Sequence, residues 1–246
     1  MISVVVPLTI PAREIEDAGH TEPHPFITVS GRPLIQHVVE NLRPSFEHQF
    51  IYVVDPEDMT MHRRRSLDIS SDPQVVYCWS APRTLAAAAI MSRESVDMDE
   101  PLVIAGCQQF IDVDLDRFYL AGMDVGTDVA VLTFPSDGTA RYPTSMVYKN
   151  RVVEMSDHRV ISDMASAGIY YFKDARTFFD GAAEALSMTH AQDSVLTMSG
   201  IINALIERRA NVIPCPLPEG AFKPLRTSID LSLLETRVEL GIQRTA

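Results

Sequence analysis

The sequence has few cysteines, few basic residues and no apolar run long enough to span a membrane. Its three cysteines, Cys78, Cys107 and Cys215, lie far apart without a C-x-x-C pair, which argues against a zinc site. The odd count and the lack of a secretory signal predict a cytoplasmic protein without membrane insertion. Lys and Arg total 21 against 33 Asp and Glu, a net charge of −12, which argues against a nucleic-acid partner.

Apolar residues, in contrast, are plentiful and regularly placed. They make up 46% of 246 residues, enough for one well-buried domain. The continuous apolar run over 2–6 is typical of a central parallel strand covered on both faces. Strand-like and helical patterns then alternate, which predicts a three-layer, doubly wound α/β domain with a mixed, mostly parallel sheet. In this half we predict strands over 2–6, 49–54, 74–79 and 101–105, and helices over 33–42, 57–70, 83–91 and 115–121.

The second half contains shorter, turn-linked strands before its helices. We predict strands over 128–134, 144–148, 151–155, 168–172 and 211–214, and helices over 175–186, 195–208 and 231–240. Ligands of such sheets bind beyond the carboxyl ends of the strands, so the loops after Val6, Val54 and Ala105 are expected to hold the site. Apolar residues over 195–205 suit a homodimer surface and a core helix equally well.

Three segments, in this order, resemble the sugar-phosphate nucleotidyltransferase family. They are AGHTEPHPFITVSGRPLI over 18–35, DEPLVIAGCQQFIDVDL over 99–115, and ISDMASAGIYYF over 161–172. The resemblance covers about residues 1 to 240 and is strongest to short capsule-type members of polysaccharide biosynthesis. It implies a GT-A-type fold, with a nucleotide-binding half over 1–125 and a sugar- or acceptor-binding half over 126–246. It also implies transfer of a nucleotidyl group from a nucleoside triphosphate to a phosphorylated sugar or similar small molecule, releasing pyrophosphate.

The phosphate-binding loop of that family is altered here. The family has two glycines after the first strand, where this chain reads PLTIPARE over 7–14. Glycine lets backbone amides approach a phosphate closely, which Ile10 and Ala12 do less readily. The resemblance implies that Pro7, Leu8 and Thr9 border the nucleotide. It also implies that Arg13, one position out of register, is the catalytic arginine.

The cationic and metal-binding positions are altered as well. His24 occupies the position of a catalytic lysine, where imidazole is a weaker phosphate anchor at neutral pH; a histidine bonded only to backbone is the alternative. The family uses Mg²⁺, but its usual metal aspartate is Gln108 here, a poor magnesium ligand that is left as a nucleotide-binding candidate. Asp112, Asp114 and Asp230 are weak metal candidates, and capping of the following helices explains them at least as well.

Other positions of the family's site are partly retained. Arg83 and Thr84 lie where the family contacts the nucleobase. The remaining candidates are on the sugar side, and the resemblance implies substrate binding by Asp157, Arg159, Gly168 and Asp193. An arginine could hold a phosphate through two parallel hydrogen bonds, although Arg159 also suits a solvated hairpin.

Three functional hypotheses remain open on this sequence. The first is a divergent nucleotidyltransferase with nucleotide and phosphorylated small-molecule substrates. The second is a non-catalytic descendant that binds a ligand or a partner protein, as the simultaneous loss of loop glycines and metal aspartate suggests. The third is a glycosyltransferase that uses a nucleotide sugar, for which Asp112-Val113-Asp114 gives a D-x-D pattern several residues late.

Overall fold

The computed structural model describes residues 1–10, 15, 19–20, 22–60, 63, 74–79, 82, 84–188 and 195–241. Most of the helix predicted over 57–70 lies outside these residues. The strands are β1 Ile2–Pro7, β2 Thr28–Val29, β3 Arg32–Pro33, β4 His48–Val54, β5 Gln74–Tyr77, β6 Leu102–Ala105, β7 Gln109–Ile111, β8 Val129–Pro135, β9 Thr144–Tyr148, β10 Arg151–Ser156, β11 Met164–Phe172, β12 Val212–Pro216 and β13 Phe222–Pro224. The helices are α1 Leu34–Leu42, α2 Leu85–Ile90, α3 Asp116–Met123, α4 Ala175–Met188, α5 Met198–Glu207 and α6 Ser228–Glu239.

A nine-stranded mixed sheet forms the centre of the described structure. Its main path runs β10-β9-β11-β6-β1-β4-β5, with β8 beside β11 and β12 beside β8. Strands β5, β4, β1 and β6 are parallel, whereas β11 runs antiparallel to β6. The predicted α/β sheet is therefore confirmed. The parallel pairing of β1 and β6 brings their carboxyl ends side by side.

Helices cover both faces of this sheet, because alternate residues of each central strand point to opposite sides. Val4 and Val6 belong to one apolar core, with residues of α1, α3 and α6, and Val5 belongs to the other, with residues of α2, α4 and α5. The continuous apolar run of β1 is fully buried, as a strand covered on both faces requires. The three-layer arrangement follows from these two cores.

Helix α5 contains most of the apolar residues near 195–205, which suited either a homodimer surface or a core helix. Ile201, Ile202 and Leu205 are buried in the core shared with α4, so this face is part of the interior. Its flank at Val195 stays 56% exposed. A homodimer remains a prediction. Among the described residues, no helix combines the length and the apolar character needed to cross a membrane.

Candidate functional site

A cleft of about 310 Å³ opens beyond the carboxyl ends of β1 and β6. Ile10 contributes from the segment after β1, and Gly106, Cys107 and Gln108 contribute from the segment after β6. The amide nitrogen Nε2 of Gln108 donates to the carbonyl oxygen of Ile10 at 3.2 Å, so the two segments touch. The loops after Val6 and Ala105 thus converge on one cleft, as expected, whereas no described residue of the loop after Val54 lines it.

A glycine pair forms the floor of the cleft beside β11. The amide of Gly106 donates to the carbonyl of Gly168 at 3.0 Å, and Gly168 adopts a φ of +74°, which side chains rarely tolerate. Gln109 packs against both and donates from Nε2 to the Gly106 carbonyl at 2.7 Å. A Cβ atom on Gly106 would lie 3.1 Å from the Gln109 side chain. Gly168 thus lines the cleft where the sequence placed it, although its contact with a substrate stays a prediction.

Asp157 also lines the cleft, at the start of α5. Its two carboxylate oxygens accept hydrogen bonds from the hydroxyls of Thr197 at 2.6 Å and Ser199 at 2.9 Å. Thr197 caps α5 by accepting from the amide of Gly200. A carboxylate next to a helix N-terminus is stabilised by the helix dipole, so Asp157 is a negative group fixed in the cleft lining.

Thr84 caps the neighbouring helix α2 in a similar way. Its hydroxyl accepts from the amide of Ala87 at 3.2 Å and donates to the carbonyl of Leu196 at 2.6 Å. Thr84 lines the cleft, but its hydroxyl already donates one hydrogen bond and accepts another within the protein. Its part in nucleotide binding remains a prediction.

The opposite lining of the cleft is aromatic and cationic. Phe222 stacks on Phe134 with ring centroids 3.9 Å apart, and Tyr142 meets both rings edge-on. The guanidinium carbon of Arg226 lies 5.9 Å from the centre of the Tyr142 ring. Arg141 lines the same part of the cleft. Burial raises the pKa of Tyr142, while the positive charges of Arg226 and Arg141 act in the opposite direction.

Sequence reasoning missed Arg141, Tyr142 and Arg226. In the segment of Arg226 only Asp230 was a candidate, and Arg141 precedes β9 without a local motif. A search for cations just outside predicted strand ends would have marked Arg141, which lies three residues before the strand predicted over 144–148. It would not have marked Arg226, because β13 was not predicted. Their convergence depends on the contact between Tyr142 and Arg226, far apart along the chain, which no local pattern reveals.

His24 is buried behind the cleft, with only 3% of its surface exposed. Its Nε2 donates to the carbonyl oxygen of Leu225 at 2.6 Å, and its Nδ1 has no hydrogen-bond partner among the described residues. Burial lowers its pKa to about 4, so the imidazole is neutral at pH 7. His24 is not among the residues lining the cleft. This placement favours the backbone-bonded alternative, and a catalytic role stays an untested prediction.

The metal candidates are engaged in structural contacts. Asp112 forms a two-point ion pair with Arg237 of α6, including Nη1 to Oδ2 at 2.7 Å. Asp114 accepts from the amide of Asp116 at 2.9 Å, at the start of α3. Asp230 completes the capping box of α6 by accepting from the amide of Thr227 at 2.8 Å. The capping role expected for Asp230 agrees with its bond. Asp114 bonds the first amide of α3 but precedes the N-cap residue, Leu115, and Asp112 instead ties β7 to the last helix.

The donor set around the cleft does not fit the magnesium site that the family resemblance implies. Gln108 is neutral, and Asp157 is the one carboxylate among the described lining residues. Nowhere in the described part of the chain do three His, Cys, Asp or Glu side chains cluster as a metal site would require. Mg²⁺ usually needs one or two carboxylates next to the substrate phosphates. The one described lining carboxylate, Asp157, is bonded at the start of α5 rather than following β6, where the resemblance implies the metal aspartate. The described lining residues therefore do not form the implied magnesium site.

Arg159 lies outside the cleft lining, in the connection from β10 to β11. Its guanidinium pairs with Glu154 at 2.8 Å, and 73% of its side chain is exposed. It is a solvated arginine, but the connection is not a hairpin, because β10 and β11 both pair with β9 rather than with each other. Binding of a phosphate by Arg159 stays a prediction.

The residues directly after β1 contribute little to the cleft wall. Leu8 is buried, and its amide donates to the carbonyl of Val53 at 2.8 Å, which leaves it unavailable to a phosphate. The hydroxyl of Thr9 is buried without a hydrogen-bond partner among the described residues. Pro7 ends β1. The remaining predicted site residues, Arg13, Arg83 and Asp193, lie outside the described residues.

The fold is shared with solved nucleotidyltransferase structures. A nucleoside-diphosphate-sugar pyrophosphorylase from Vibrio cholerae RC9 is 14% identical over 96% of this chain and 100% of that one, with a TM-score of 0.74. A structure described as a glucose-1-phosphate thymidylyltransferase from Bacillus anthracis, in complex with a sucrose, is 14% identical over 96% of this chain and 94% of that one, with a TM-score of 0.77. The inositol-1-phosphate CTP transferase from T. maritima is 11% identical over 98% and 97%, also with a TM-score of 0.77.

No protein-family model matches the chain, and no curated protein matches it either. At identities of 11 to 14%, the structural likeness establishes the fold alone. The chain therefore has the fold of the sugar-phosphate nucleotidyltransferases, as its sequence motifs predict.

Proposed function

We propose that this protein is a divergent nucleotidyltransferase that transfers a nucleotidyl group from a nucleoside triphosphate to a phosphorylated sugar or a similar small molecule, releasing pyrophosphate. The observation that carries the proposal is the position of the cleft. It opens between the segments that follow β1 and β6, in a fold whose solved examples include transferases named for sugar and inositol phosphates. A cytoplasmic location and a role in polysaccharide biosynthesis belong to the same proposal.

The charge distribution supports a phosphorylated ligand in this cleft. The whole chain carries a net charge of −12, yet among the described residues the charged ones that line the cleft are Arg141, Arg226 and Asp157, so cations outnumber anions there. Nucleotidyl transfer depends mostly on positioning the phosphates and neutralising their charge. A positively charged cleft in an otherwise acidic protein supplies that neutralisation where the ligand binds.

The carboxylate of Asp157 supports a hydroxylated acceptor next to the phosphate. Its oxygens are oriented by Thr197 and Ser199, and a carboxylate retains capacity for further hydrogen bonds from ligand hydroxyls. A neutral asparagine at this position would lose the charge while keeping the shape. The substitution Asp157→Asn is therefore expected to weaken sugar-phosphate binding more than nucleotide binding.

A second candidate function is ligand binding without turnover. It is favoured by Gln108, which replaces the usual metal carboxylate and donates a hydrogen bond to Ile10. A site that lacks carboxylates for a metal ion can still hold a phosphorylated ligand through arginines. The glycosyltransferase alternative has no comparable support, since Asp112 pairs with Arg237 and Asp114 accepts a hydrogen bond from the amide of Asp116.

Pyrophosphate release separates the two candidates. The protein is incubated with each of the four ribonucleoside triphosphates or dTTP, with a panel of sugar 1-phosphates and inositol 1-phosphate, with and without Mg²⁺. Pyrophosphate is detected after cleavage by inorganic pyrophosphatase. Release that depends on both substrates supports the nucleotidyltransferase. Thermal stabilisation by a substrate with no release under any condition would contradict it and support the binding protein.

A further inference from the structure

The cleft contains cations on the side of β13, where a metal-dependent site would need anions. The segment over 222–230, which contains the metal candidate Asp230, supplies Arg226 to the cleft wall. Its one aspartate, Asp230, is bonded to the amides of Arg226 and Thr227. Together with neutral Gln108, this arrangement attracts an anion and repels a divalent cation.

We propose that Arg141 and Arg226 form a phosphate-binding site that holds the phosphoryl group of the ligand directly, without a bridging metal ion. This inference rests on the proposed function, since it names the ligand chemistry of the same cleft. Guanidinium groups bind phosphates through paired hydrogen bonds and stay charged at any physiological pH. Two of them supply the positive charge that a magnesium ion would otherwise contribute.

Arg226 is held in place for this role from both ends. Its backbone amide donates to Oδ2 of Asp230 at 2.9 Å, within the capping box of α6. Its guanidinium lies over the ring of Tyr142 and also bonds the Tyr142 hydroxyl. The Tyr142 ring is itself fixed by the stacked pair Phe134 and Phe222. A cation positioned before the ligand arrives loses less conformational entropy on binding.

Arg141 adds a second guanidinium group beside this fixed one. It is exposed, it lines the same cleft, and it forms no ion pair with any residue that the structure describes. Its neighbour in the sequence, Tyr142, is the residue that Arg226 lies over. Arg141 and Arg226 are therefore placed to donate hydrogen bonds to one phosphate.

The charges also fix the direction of the ligand. Arg226, just after β13, lies over the ring of Tyr142. Asp157 is instead bonded to the hydroxyls of Thr197 and Ser199 at the start of α5. The cationic and anionic groups of the cleft are thus held by different elements. A phosphoryl group at the arginines leaves the Asp157 carboxylate to accept hydroxyl hydrogen bonds, which orients a phosphorylated polyol with its phosphate toward β13.

Titration calorimetry in EDTA tests the phosphate site without requiring turnover. The probes are inorganic pyrophosphate and glucose 1-phosphate, with the variants Arg141→Ala, Arg226→Ala and Arg226→Lys. We expect wild type to bind pyrophosphate in EDTA, and each alanine variant to bind it about 10-fold or more weakly. Arg226→Lys keeps the charge but not the fork and should fall in between, and it also serves if Arg226→Ala does not fold. Arg176→Ala, at an exposed pair with Asp99, is the matched control and should bind like wild type.

Asp157→Asn tests the orientation in the same experiment. This substitution should weaken the binding of glucose 1-phosphate by about 10-fold and should change the affinity for pyrophosphate little. The inference would be overturned if pyrophosphate bound only with Mg²⁺, or if it bound neither in EDTA nor with Mg²⁺. Wild-type affinity for pyrophosphate in both alanine variants would overturn it as well. Arginine-dependent pyrophosphate binding without any pyrophosphate release from nucleoside triphosphates would refute the proposed function and leave this inference standing.

Discussion

Replacing Arg237 should destabilise the protein, because the side chains of Arg237 and Asp112 form a largely buried ion pair. They are 15% and 17% exposed and meet through two nitrogen–oxygen contacts, Nη1–Oδ2 at 2.7 Å being one. Hydrogen bonds to charged groups contribute about 1.5 to 3 kcal/mol, and breaking a fully buried pair costs about 3 to 5 kcal/mol. For this partly shielded pair we expect Arg237→Ala to cost about 2 to 3 kcal/mol.

The assay is a double-mutant cycle in urea and thermal unfolding. A cost of that size should lower Tm by about 4 to 12 °C in a chain of this length. The variants Asp112→Ala, Arg237→Ala and the double variant should show a coupling of about 1 to 2 kcal/mol. The exposed pair Arg32–Glu40, at 41% and 46% exposure, is the control, and its loss should cost no more than about 1 kcal/mol.

The same cycle decides whether Asp112 has a metal-binding role. If Asp112 serves only the ion pair, the Asp112→Ala variant should lose the same free energy of unfolding in EDTA as in excess Mg²⁺. A coupling below about 0.5 kcal/mol would refute the ion-pair reasoning, because distant sites already add within that error. A stability loss that appears only with Mg²⁺ would return Asp112 to the metal candidates.

Three further predictions concern packing and protonation. Gly122→Ala should cost about 1 to 3 kcal/mol in urea unfolding, because its Cβ would lie 2.3 Å from a buried ring of β11, whereas Gly200→Ala meets only an atom at 3.5 Å and should be neutral or stabilising. Asn41→Leu should cost about 2 to 4 kcal/mol, since Asn41 pairs both backbone groups of Ile111 at 2.8 Å; wild-type stability would contradict this. His24, with a folded pKa of about 4, binds fewer protons than in the unfolded chain, so stability should fall as pH drops from 6.5 toward 4, by about 2 kcal/mol at pH 5. His24→Gln should reduce this pH dependence, and an unchanged slope would count against it.

Much of the fold could be predicted because its signals are local. The run over 2–6 is apolar at every position but Ser3, so it predicts the fully buried β1. The helical spacing over 33–42 gives α1 within one residue. Strands β7 and β13 were missed, since each has three residues and is stabilised by pairing with a partner more than 100 positions away. Strand β11 begins at Met164, four residues before the prediction, beyond a register shift that no periodicity reveals.

The site was predicted less well, because the direction of a side chain depends on distant contacts. Gly168, Thr84, Gln108 and Asp157 line the cleft, and the ligand contacts that the resemblance implies for them stay predictions. Arg159 lies two residues after Asp157, but its side chain pairs with Glu154 outside the cleft. The sequence does not show that these two side chains point in different directions. The contacts that bring Arg141, Tyr142 and Arg226 together join the segment before β9 to the segment after β13, so they form only once the sheet is assembled.

The most direct test of the central claim, that this cleft binds a phosphorylated ligand between the segments after β1 and β6, is a crystal structure of the protein soaked with a sugar 1-phosphate and a nucleoside triphosphate. The account predicts phosphate density beside Arg141 and Arg226, with hydroxyl density near Asp157 and the nucleotide alongside Ile10 and Gln108. Ligand density at another surface, or a cleft that stays empty at ligand concentrations that raise Tm, would contradict it.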